Sequence, residues 1–499
     1  MSAAPSSLRE LLAGIADLPR DVTVSDLTQD GRAARPGSAF LAVRGTQEHG
    51  LKFAPQAVAH GATAVLWEPA PAAVVPDLPS DIVVAPVVRL REHASEIAAR
   101  FFGSPSAAMS VAGVTGTNGK TTCAYLLAQA LEAAGRPAGY MGTIGVGRPG
   151  ALAASSLTTG DAVTVQRSLA KLHAGGAGNV AMEVSSHALD QSRVGAVRFR
   201  TAAFTNLTRD HLDYHGSMES YGAAKARLFT RDDLESRVIN VDDAFGRQLA
   251  ADPRGHGRLI VTCRGHQSRV READGFVRAM QVDLSTRGIA LEFDSSWGTG
   301  AITCSLVGDF NVDNLLIVIA VLLDWRIPLD EVIRAVEQVQ AAPGRMQTFG
   351  GVDAPLAVVD YAHTPDALQK ALSAARAHCK GRLSVVFGCG GDRDAGKRPL
   401  MGRIAAESAD RVIITDDNPR TEPHEEIAAG IRSGIPAGKD YRIQLDRELA
   451  IREAISEAGA DDVVVIAGKG HEDYQIIGAE RRMFSDRAVV ESALRGERA

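Results

Sequence analysis

The sequence is poor in cysteine and in aromatic residues, and both shortages exclude kinds of protein. Its five cysteines are scattered among 499 residues, are odd in number and contain no C-x-x-C pair. That pattern fits a reducing compartment and argues against a disulfide framework or a structural zinc site. Aromatic residues make up 5% of the chain, which leaves too few for a surface that stacks nucleic-acid bases.

The sequence also lacks an excess of positive charge and a long apolar segment. Lysine and arginine number 54 against 60 aspartates and glutamates, which gives a formal net charge of −6 and no basic face for nucleic acid. No apolar stretch approaches the roughly 20 residues that span a bilayer, and the N-terminus shows no export signal. We expect a cytoplasmic monomer that binds small molecules and neither nucleic acid nor membrane.

The length and the order of segments predict three α/β domains. A chain of 499 residues is too long for a single hydrophobic core. We place an N-terminal domain at 1–108, a central P-loop ATPase-like domain with a parallel sheet at 109–342, and a C-terminal Rossmann-like domain at 343–499. The second boundary rests on the Pro-Gly pair of a linker-like segment at 341–344.

A glycine-rich loop between a short strand and a helix predicts a nucleotide site. The segment GVTGTNGKTT (113–122) follows an apolar strand and precedes apolar residues at helical spacing. Such a turn aims backbone N–H groups at one point, which suits a phosphate, while Lys120 adds a cation and the Thr121 hydroxyl can ligate Mg²⁺. The first glycine lies one place earlier than in GxxxxGK[ST], so a turn without chemical use is the alternative. The predicted phosphate-binding residues are Gly116, Thr117, Asn118, Gly119, Lys120, Thr121 and Thr122.

Two polar segments of the central domain each follow an apolar run, AMEVSSHALDQSR at 181–193 and FTNLTRDHLDYHG at 204–216. Their Glu183 and His211 can together hold a divalent metal through oxygen and imidazole ligands. The alternative is that Glu183 caps a helix and His211 is a hydrogen-bonded surface residue, but the nearby phosphate loop favours a metal site. Read by itself, Lys225 in YGAAKARLF is a solvated lysine on a helix.

Three apolar runs of the C-terminal domain predict buried parallel strands, SVVF (384–387), RVIIT (411–415) and VVVIA (463–467). Each continues into a polar loop, respectively GCGGDRD, DDNPR and GKGHE. Because ligands of open α/β sheets bind beyond the carboxyl ends of the strands, we expect these loops to form one composite site.

The motifs, taken in order, resemble those of the Mur ligases, the ATP-dependent amide-forming enzymes of peptidoglycan and cell-wall synthesis. The resemblance covers nearly the whole chain and is most specific from residue 111 onward. It is carried by GVTGTNGKTT, LTTGDAVTVQ, MEVSSHALDQSR, TNLTRDHLDYHG, LVGDFNVDNLL, GRMQ, DYAHTPDAL, GCGGDRDAGKRPLM, DDNPR and AGKGHE.

The resemblance implies roles that the residues alone do not establish. Lys120 and Thr121 would serve the ATP phosphates and Mg²⁺, and Glu183 and His211 would hold a second metal. The family's matching lysine, here Lys225, carries a CO₂-derived carbamate, a carboxylate-like group that supports Mg²⁺. The resemblance also implies nucleotide contacts from Asn314, near the adenine, and from Arg345 and Asp360.

The family pattern further implies a site for a UDP-muramoyl-dipeptide. The N-terminal match is weaker, because Gly31 stands where the family commonly has the serine of D-S-R, so a backbone or water contact would replace that hydroxyl. The residues assigned to this substrate are Thr158, Thr159, Ser185, Gln191 and Arg193, with Gly31, Thr46 and Gln47 on the uridine side.

The DDNPR loop matches the diaminopimelate-adding members of the family. Diaminopimelate carries a second carboxylate at its far end, where lysine has none, and the planar guanidinium groups of Arg420 and Arg393 suit a carboxylate. Glu472, with Asp417 and the Gly468 carbonyl region, can accept from an ammonium group. The alternative is a plain type I turn around Pro419. The assigned residues are Arg393, Asp417, Asn418, Pro419, Arg420, Gly468 and Glu472.

The resemblance therefore implies ATP-driven amide synthesis through an acyl phosphate, with domain closure to assemble the site. The first alternative is another ligase of the superfamily, such as a folylpolyglutamate synthetase, which would lack DNPR. The second is a catalytically silent nucleotide-binding module on the same fold.

Overall fold

The structure, a computed structural model, describes residues 4–45, 48–71, 73–155, 157–265 and 273–497. The chain divides into two units, Met1–Val261 with Val270–Gly275 and Thr262–Arg269 with Phe276–Ala499. Each unit contains a sheet of parallel strands flanked by helices, as the sequence predicts, together with some antiparallel strands. All five cysteines are free thiols. Within the described ranges, no helix has the length and apolar composition to cross a membrane.

The first unit contains a two-stranded sheet, a four-stranded sheet and a larger sheet, all built from short strands. Its strands are β1 (Ser6–Ser7), β2 (Thr23–Val24), β3 (Asp26–Thr28), β4 (Ser38–Ala42), β5 (Ala62–Trp67), β6 (Val83–Pro86), β7 (Ser110–Thr115), β8 (Ala138–Gly142), β9 (Gly145–Arg148), β10 (Ala151–Ala153), β11 (Asn179–Glu183), β12 (Thr201–Phe204) and β13 (Ser236–Asn240), and β14 (Arg258–Arg264) leads into the second unit. Its α-helices are α1 (Leu8–Leu11), α2 (Ala54–Ala59), α3 (Leu90–Phe101), α4 (Lys120–Ala133), α5 (Ala162–Ala174), α6 (Ser186–Asp190), α7 (Leu212–His215), α8 (Met218–Ala226) and α9 (Ala244–Ala251).

The four-stranded sheet of this unit has the order β3-β4-β5-β6, with every pair parallel. Leu41 and Leu66 from its strands pack with Ile97 of α3 in one buried cluster. Three single-turn 3₁₀ helices, Gly31–Ala33, Gly50–Phe53 and Pro105–Ala108, join these elements.

The larger sheet runs β10-β9-β8-β11-β7-β12-β13 within the first unit. Strand β7 lies at its centre, parallel to β11 on one side and β12 on the other, and helix α4 packs on β7, β8 and β11. Register places Glu183 beside Val114 and Phe204 beside Thr115. The carboxyl ends of three adjacent strands therefore meet where the phosphate loop begins.

The second unit joins an antiparallel meander of strands to a doubly wound sheet. Its strands are β15 (Gly275–Ser285), β16 (Gly288–Ser295), β17 (Gly298–Cys304), β18 (Gln347–Gly350), β19 (Leu356–Asp360), β20 (Leu383–Phe387), β21 (Arg411–Ile414), β22 (Tyr441–Ile443), β23 (Val463–Ala467), β24 (Tyr474–Ile477) and β25 (Glu480–Met483). Its helices are α10 (Asn311–Asp324), α11 (Leu329–Glu337), α12 (Pro365–Arg376), α13 (Lys397–Ser408), α14 (His424–Arg432), α15 (Arg447–Ser456) and α16 (Asp486–Leu494).

The doubly wound sheet has the order β18-β19-β23-β20-β21-β22, and only the pair β18–β19 is antiparallel. Successive strand residues alternate between two cores: Val358 packs with α12, α13 and α14, and Val359 packs with α15 and α16. Helices thus cover both faces, which confirms the Rossmann-like prediction. The three predicted strands are β20, β21 and β23, and they are neighbours with their polar loops at one edge.

Candidate functional site

The phosphate loop has the shape that its glycines predict. Strand β7 ends at Thr115, the loop turns, and α4 begins at Lys120, with Thr121 and Thr122 in its first turn. Gly116 has φ +154°, and a Cβ there would lie 1.9 Å from Thr205 Oγ1. Only glycine fits at that position without rearrangement of the loop.

The conformation of the phosphate loop is fixed by hydrogen bonds to the residues that follow β12. The Thr117 amide donates to the Asn206 carbonyl (2.8 Å) and the Asn118 amide to Asn206 Oδ1 (3.0 Å). The Thr205 hydroxyl donates to the Asn118 carbonyl (2.6 Å). The TNLTRDHLDYHG motif gives no local sign of a role for Thr205 or Asn206, yet in the structure these two residues set the shape of the loop.

Lys120 folds back over the loop that precedes it. Its Nζ donates to the carbonyls of Gly116 (2.9 Å) and Thr117 (2.8 Å). These contacts hold the ammonium beside the backbone of the phosphate loop. A phosphate oxygen bound there could replace one of the two carbonyls as the acceptor of a hydrogen bond from Lys120.

Glu183, the last residue of β11, is fully buried and saturated with donors. Its Oε2 accepts from the hydroxyls of Thr121 (2.9 Å) and Thr143 (3.2 Å), and its Oε1 accepts from the Thr143 amide (2.8 Å) and the Tyr140 hydroxyl. These bonds offset the cost of burying a carboxylate. The alternative of a helix cap is wrong, because Ser185 caps α6 by accepting from the Ala188 amide.

His211 lies among other imidazole and phenol rings near the start of α7. Its side chain is 45% exposed, and its ring centroid lies 5.0 Å from that of His187 and 6.0 Å from that of Tyr221. Burial, then the neighbouring His211 and His215, lower the pKa of His187, and burial also lowers the pKa of His215. These shifts favour the neutral form of both rings. The sequence motifs did not predict that these rings lie together beside His211.

A cavity of about 290 Å³ gathers many of the predicted residues in one place. It contains groups assigned separately to the phosphates, the metal and the muramoyl-dipeptide. Its lining is Lys120, Leu157, Thr158, Thr159, Ser185, Ser186, His187, Arg193, His211, Tyr221 and Lys225.

Lys225 is buried, so the local prediction of a solvated lysine on this helix is wrong. The residue is 1% exposed, and its Nζ donates to the Gly116 carbonyl (2.7 Å) and lies 4.5 Å from the Tyr221 ring centroid. Burial, with repulsion from Lys120, lowers the pKa of Lys225 to about 6. A local pattern could not reveal this, since the contacting loop lies more than a hundred positions earlier in the chain.

Arg193 and Gln191 form a rigid pair at the edge of this cavity. Arg193 donates to Gln191 Oε1 through Nε (3.1 Å) and Nη2 (2.7 Å), and its Nη1 donates to the Thr159 carbonyl (2.9 Å). Both residues line a second cavity of about 280 Å³ together with Arg44 and Arg91, whereas the first cavity is lined by Arg193 and not by Gln191. Thr46 and Gln47, assigned to the uridine side, lie outside the described residues.

Gly31 is buried at the start of a 3₁₀ helix, and its carbonyl contacts His60 Nδ1 at 3.0 Å. A Cβ at this position would lie 2.9 Å from the Phe53 carbonyl oxygen. The family's serine therefore does not fit here unless the backbone around Phe53 shifts.

In the second unit, the three loops expected to form a composite site are bonded to each other. We call residues 388–394, 416–420 and 468–472 the sheet-edge site. Asn418 Oδ1 accepts from the Ile476 amide (2.9 Å) and from Lys469 Nζ (3.0 Å). Asn418 Nδ2 donates to Glu472 Oε2 (3.1 Å). The DDNPR and GKGHE loops are thus locked together, which confirms their convergence.

The arginine of DDNPR joins the third loop to this site. Arg420 Nη1 donates to the Gly391 carbonyl (2.8 Å), and a Cβ on Gly391 would lie 1.8 Å from the Pro419 carbonyl oxygen. A Cβ built on Gly390 would lie 2.9 Å from Arg420 Nη1 and 3.6 Å from Arg393 Cγ. The two predicted arginines therefore flank one glycine.

The acidic side of the sheet-edge site lies where β23 ends. A Cβ on Gly468, where φ is +119°, would lie 2.6 Å from Asp417 Oδ2. The Gly468 amide donates to the Asp360 carbonyl (3.0 Å). Asp417 therefore packs directly against the glycine with which it was grouped from the sequence.

Asp360 shapes the segment that carries Arg345. Its carboxylate accepts from the amides of Met346 and Ala362, each at 2.8 Å, and burial raises its pKa. The Arg345 guanidinium lies 5.5 Å from the Tyr361 ring centroid. Asn314 is buried on α10 of the same unit, and its Nδ2 donates to Asn311 Oδ1 (2.8 Å).

The residues of the first unit can supply part of a metal site. Across the described residues, no group of three or more His, Cys, Asp or Glu side chains converges to hold a metal ion. The oxygen donors that fit Mg²⁺ are the Glu183 carboxylate and the Thr121 hydroxyl, which are bonded to each other, and the His211 imidazole offers a nitrogen ligand to a divalent metal. A metal here would need further oxygen ligands, such as phosphate oxygens or a carbamate.

Comparison with known proteins finds family models and relatives that together match most of the chain. Three family models match: "Mur ligase family, catalytic domain" at 23–102, "Mur ligase middle domain" at 114–322, and "Mur ligase, glutamate ligase domain" at 344–470. A UDP-N-acetylmuramoyl-L-alanyl-D-glutamate–2,6-diaminopimelate ligase from Ectopseudomonas mendocina is 49% identical over 473 residues, or 95% of each chain.

Among the solved structures similar to this chain, one is a close relative and another is a distant one. A structure of a UDP-N-acetylmuramoyl-L-alanyl-D-glutamate–2,6-diaminopimelate ligase is 35% identical, with a TM-score of 0.73 over 99% of both chains. A folylpolyglutamate synthase from Mycobacterium tuberculosis is 18% identical, with a TM-score of 0.54 over 74% of this chain and 91% of its own. The second likeness concerns the fold alone.

Proposed function

Because the chain belongs to the Mur ligase family, whose members are ATP-dependent amide-forming ligases, we propose that it adds meso-2,6-diaminopimelate to UDP-MurNAc-L-Ala-D-Glu in peptidoglycan synthesis. The bond formed is an amide at the γ-carboxylate of the D-glutamyl residue. The observation that carries this proposal is the sheet-edge site, where Arg420 and Arg393 flank Gly390 and Asn418 is bonded to Glu472. That arrangement offers cations for one carboxylate and acids for one ammonium.

The reaction proceeds in two steps on the substrates. A γ-carboxylate oxygen attacks the γ-phosphorus of ATP, so that ADP leaves and an acyl phosphate forms. The α-amine of the diaminopimelate L-centre then attacks the acyl carbon, phosphate leaves, and the amine loses a proton. Lys120 and the amides of the phosphate loop stabilise the charge on the transferring group, and catalysis comes mainly from positioning and electrostatics.

The proposal includes two metal sites and the modified lysine. Thr121 would ligate the Mg²⁺ that neutralises the charge of the ATP phosphates, and Glu183 and His211 would hold a second metal. Lys225 supports carbamate formation because its amine is buried and has a pKa of about 6. A neutral amine can attack CO₂, forming an N–C bond and releasing one proton, and the product is a carboxylate-like group in the cavity.

The muramoyl-dipeptide is assigned to the two first-unit cavities that Arg193 lines, of about 290 and 280 Å³. Thr158, Thr159, Ser185 and Arg193 line the larger one, and Gln191 lines the other with Arg193. The Arg193 guanidinium, held by Gln191, offers a fixed cation for a substrate carboxylate or phosphate. Gly31, Thr46 and Gln47 keep their assignment to the uridine side as predictions. We place the enzyme in the cytoplasm, acting as a monomer.

Phosphate release with defined substrate pairs tests this function against its alternatives. The purified chain is incubated with ATP, Mg²⁺ and one of three substrate pairs. These are UDP-MurNAc-L-Ala-D-Glu with meso-diaminopimelate, the same nucleotide with L-lysine, and a folate with L-glutamate. We expect release that depends on diaminopimelate. Equal release with L-lysine would contradict the amino-acid assignment. Release only with a folate and glutamate would favour a folylpolyglutamate synthetase, and no release with any pair would favour a silent nucleotide-binding module.

A further inference from the structure

We propose that Lys469 is a positioning residue that sets the selectivity of the sheet-edge site for an amino acid whose far end carries both an ammonium and a carboxylate. This inference rests on the proposed function and deepens it. Neither the sequence motif nor the resemblance assigned a role to this lysine.

Lys469 is a buried cation between two acids. Its side chain is fully buried, and its Nζ lies 3.0 Å from Asn418 Oδ1, 3.4 Å from Glu472 Oε2 and 3.7 Å from Asp417 Oδ1. Burying an ammonium costs several kcal/mol unless it is paired and hydrogen-bonded. The partners that stabilise this charge are Asp417, Asn418 and Glu472, which are also residues predicted to bind diaminopimelate.

The lysine determines which way the Asn418 amide faces. Lys469 and the Ile476 amide both donate to Asn418 Oδ1, so Nδ2 must point to Glu472 Oε2. The Asn418 main-chain carbonyl accepts from the Gly391 amide (3.0 Å) and contacts Arg420 Nη1 at 3.4 Å. One buried cation thus fixes a residue that supports both the acidic and the basic sides of the site.

The charge balance suits a single incoming ammonium. Asp417 and Glu472 carry two negative charges, and Lys469 cancels one of them. The acids stay partly accessible, with side chains 10% and 17% exposed, while Lys469 has no exposure. Without the lysine, two close carboxylates would repel each other, and Glu472 would lose the contact that orients it.

Steady-state kinetics of Lys469→Met test the proposal against the wild type. We expect the KM for meso-diaminopimelate to rise about tenfold or more, the equivalent of at least about 1.4 kcal/mol, while kcat and the KM for ATP change less than about twofold. Lys370→Met is the matched control, because Lys370 is an exposed lysine paired with Asp366 at i,i+4 in the same unit. An unchanged KM for diaminopimelate, or an equal rise in both KM values, overturns the proposal.

A second variant covers the case in which Lys469→Met folds poorly. Lys469→Met combined with Glu472→Gln removes one charge of each sign and keeps the net charge of the cluster. If Lys469 acts through Glu472, the double variant has a KM for diaminopimelate close to that of Glu472→Gln alone; multiplied effects overturn the proposal. An inactive wild type would overturn the proposed function and this inference together, whereas an active wild type with an unaffected variant overturns this inference alone.

Discussion

At the scale of single residues, the burial and the hydrogen-bond partners of a side chain were the hardest properties to predict from the sequence. Glu183 and His211 were identifiable because the segments around them carry recognisable polar motifs. The burial of Lys225 was not, because it depends on the Gly116 carbonyl, which is distant in the chain. Thr143, which donates twice to Glu183, lies in no polar motif at all and could be found only from the fold.

Replacing Lys225 by Ala tests the carbamate. We expect activity to fall by about 100-fold or more, because a group that supports the metal is lost, and to recover in part when a short-chain carboxylate is added. The measurement is phosphate release with and without acetate. Lys171→Ala, at an exposed position of α5, is the control and should keep full activity. Wild-type activity in the Lys225 variant would rule the carbamate out.

Gly31→Ser restores the residue that the family commonly has, yet we expect it to weaken this protein. Its Cβ would lie 2.9 Å from the Phe53 carbonyl oxygen, and overpacking of this kind costs about 1–3 kcal/mol. Thermal unfolding measures the effect. The matched control is Gly178→Ser, since a Cβ there meets no atom within 4 Å. A Gly31→Ser variant that unfolds at the same temperature as the control would contradict this prediction, because the backbone around Phe53 would then accommodate the side chain without loss of stability.

At the scale of helices and strands, apolar runs predicted the sheet well, and the loops between them less well. The runs in β20, β21 and β23 are buried strands because both faces of their sheet are covered by helices. The shape of the phosphate loop depends instead on Thr205 and Asn206 after β12. Such bonds join loops from separate strands, so no local pattern encodes them.

His378, just beyond α12, provides a pH-dependent test at this scale. Its Nε2 accepts from the Gly308 amide (3.0 Å) and its Nδ1 donates to the Ser285 carbonyl (2.7 Å), so the buried ring is neutral. Burial lowers its pKa in the folded protein. The stability it contributes is therefore present above the unfolded value of about 6.5 and is lost as the pH falls through that value toward the folded pKa.

We expect His378→Gln to reduce the loss of thermal stability between about pH 7.5 and pH 5.5, because glutamine cannot take up a proton. The measurement is the unfolding midpoint at both pH values. His173→Gln, at an exposed position of α5, should leave the wild-type pH dependence unchanged. A His378 variant with the same pH dependence as the wild type would contradict this account.

At the scale of the whole molecule, the two α/β units carry different parts of the chemistry. The first contains the phosphate loop, Glu183 and Lys225, and the second contains the sheet-edge site. The predicted domain boundaries near 108 and 342 stay predictions. Sequence motifs were sufficient to predict the fold class and the class of reaction, since both depend on short segments at strand ends. They did not reveal Lys469, whose role depends on contacts with Asn418 and Glu472.

The central claim is that this ligase joins diaminopimelate, and not lysine, to the muramoyl-dipeptide. The most direct measurement is a competition in which ATP, Mg²⁺ and UDP-MurNAc-L-Ala-D-Glu are supplied with equal concentrations of meso-diaminopimelate and L-lysine, and the nucleotide product is identified by mass spectrometry. We expect a tripeptide that contains diaminopimelate, with the lysine product at most a trace. A product mixture that follows the supplied ratio, or the lysine tripeptide as the main product, would contradict it.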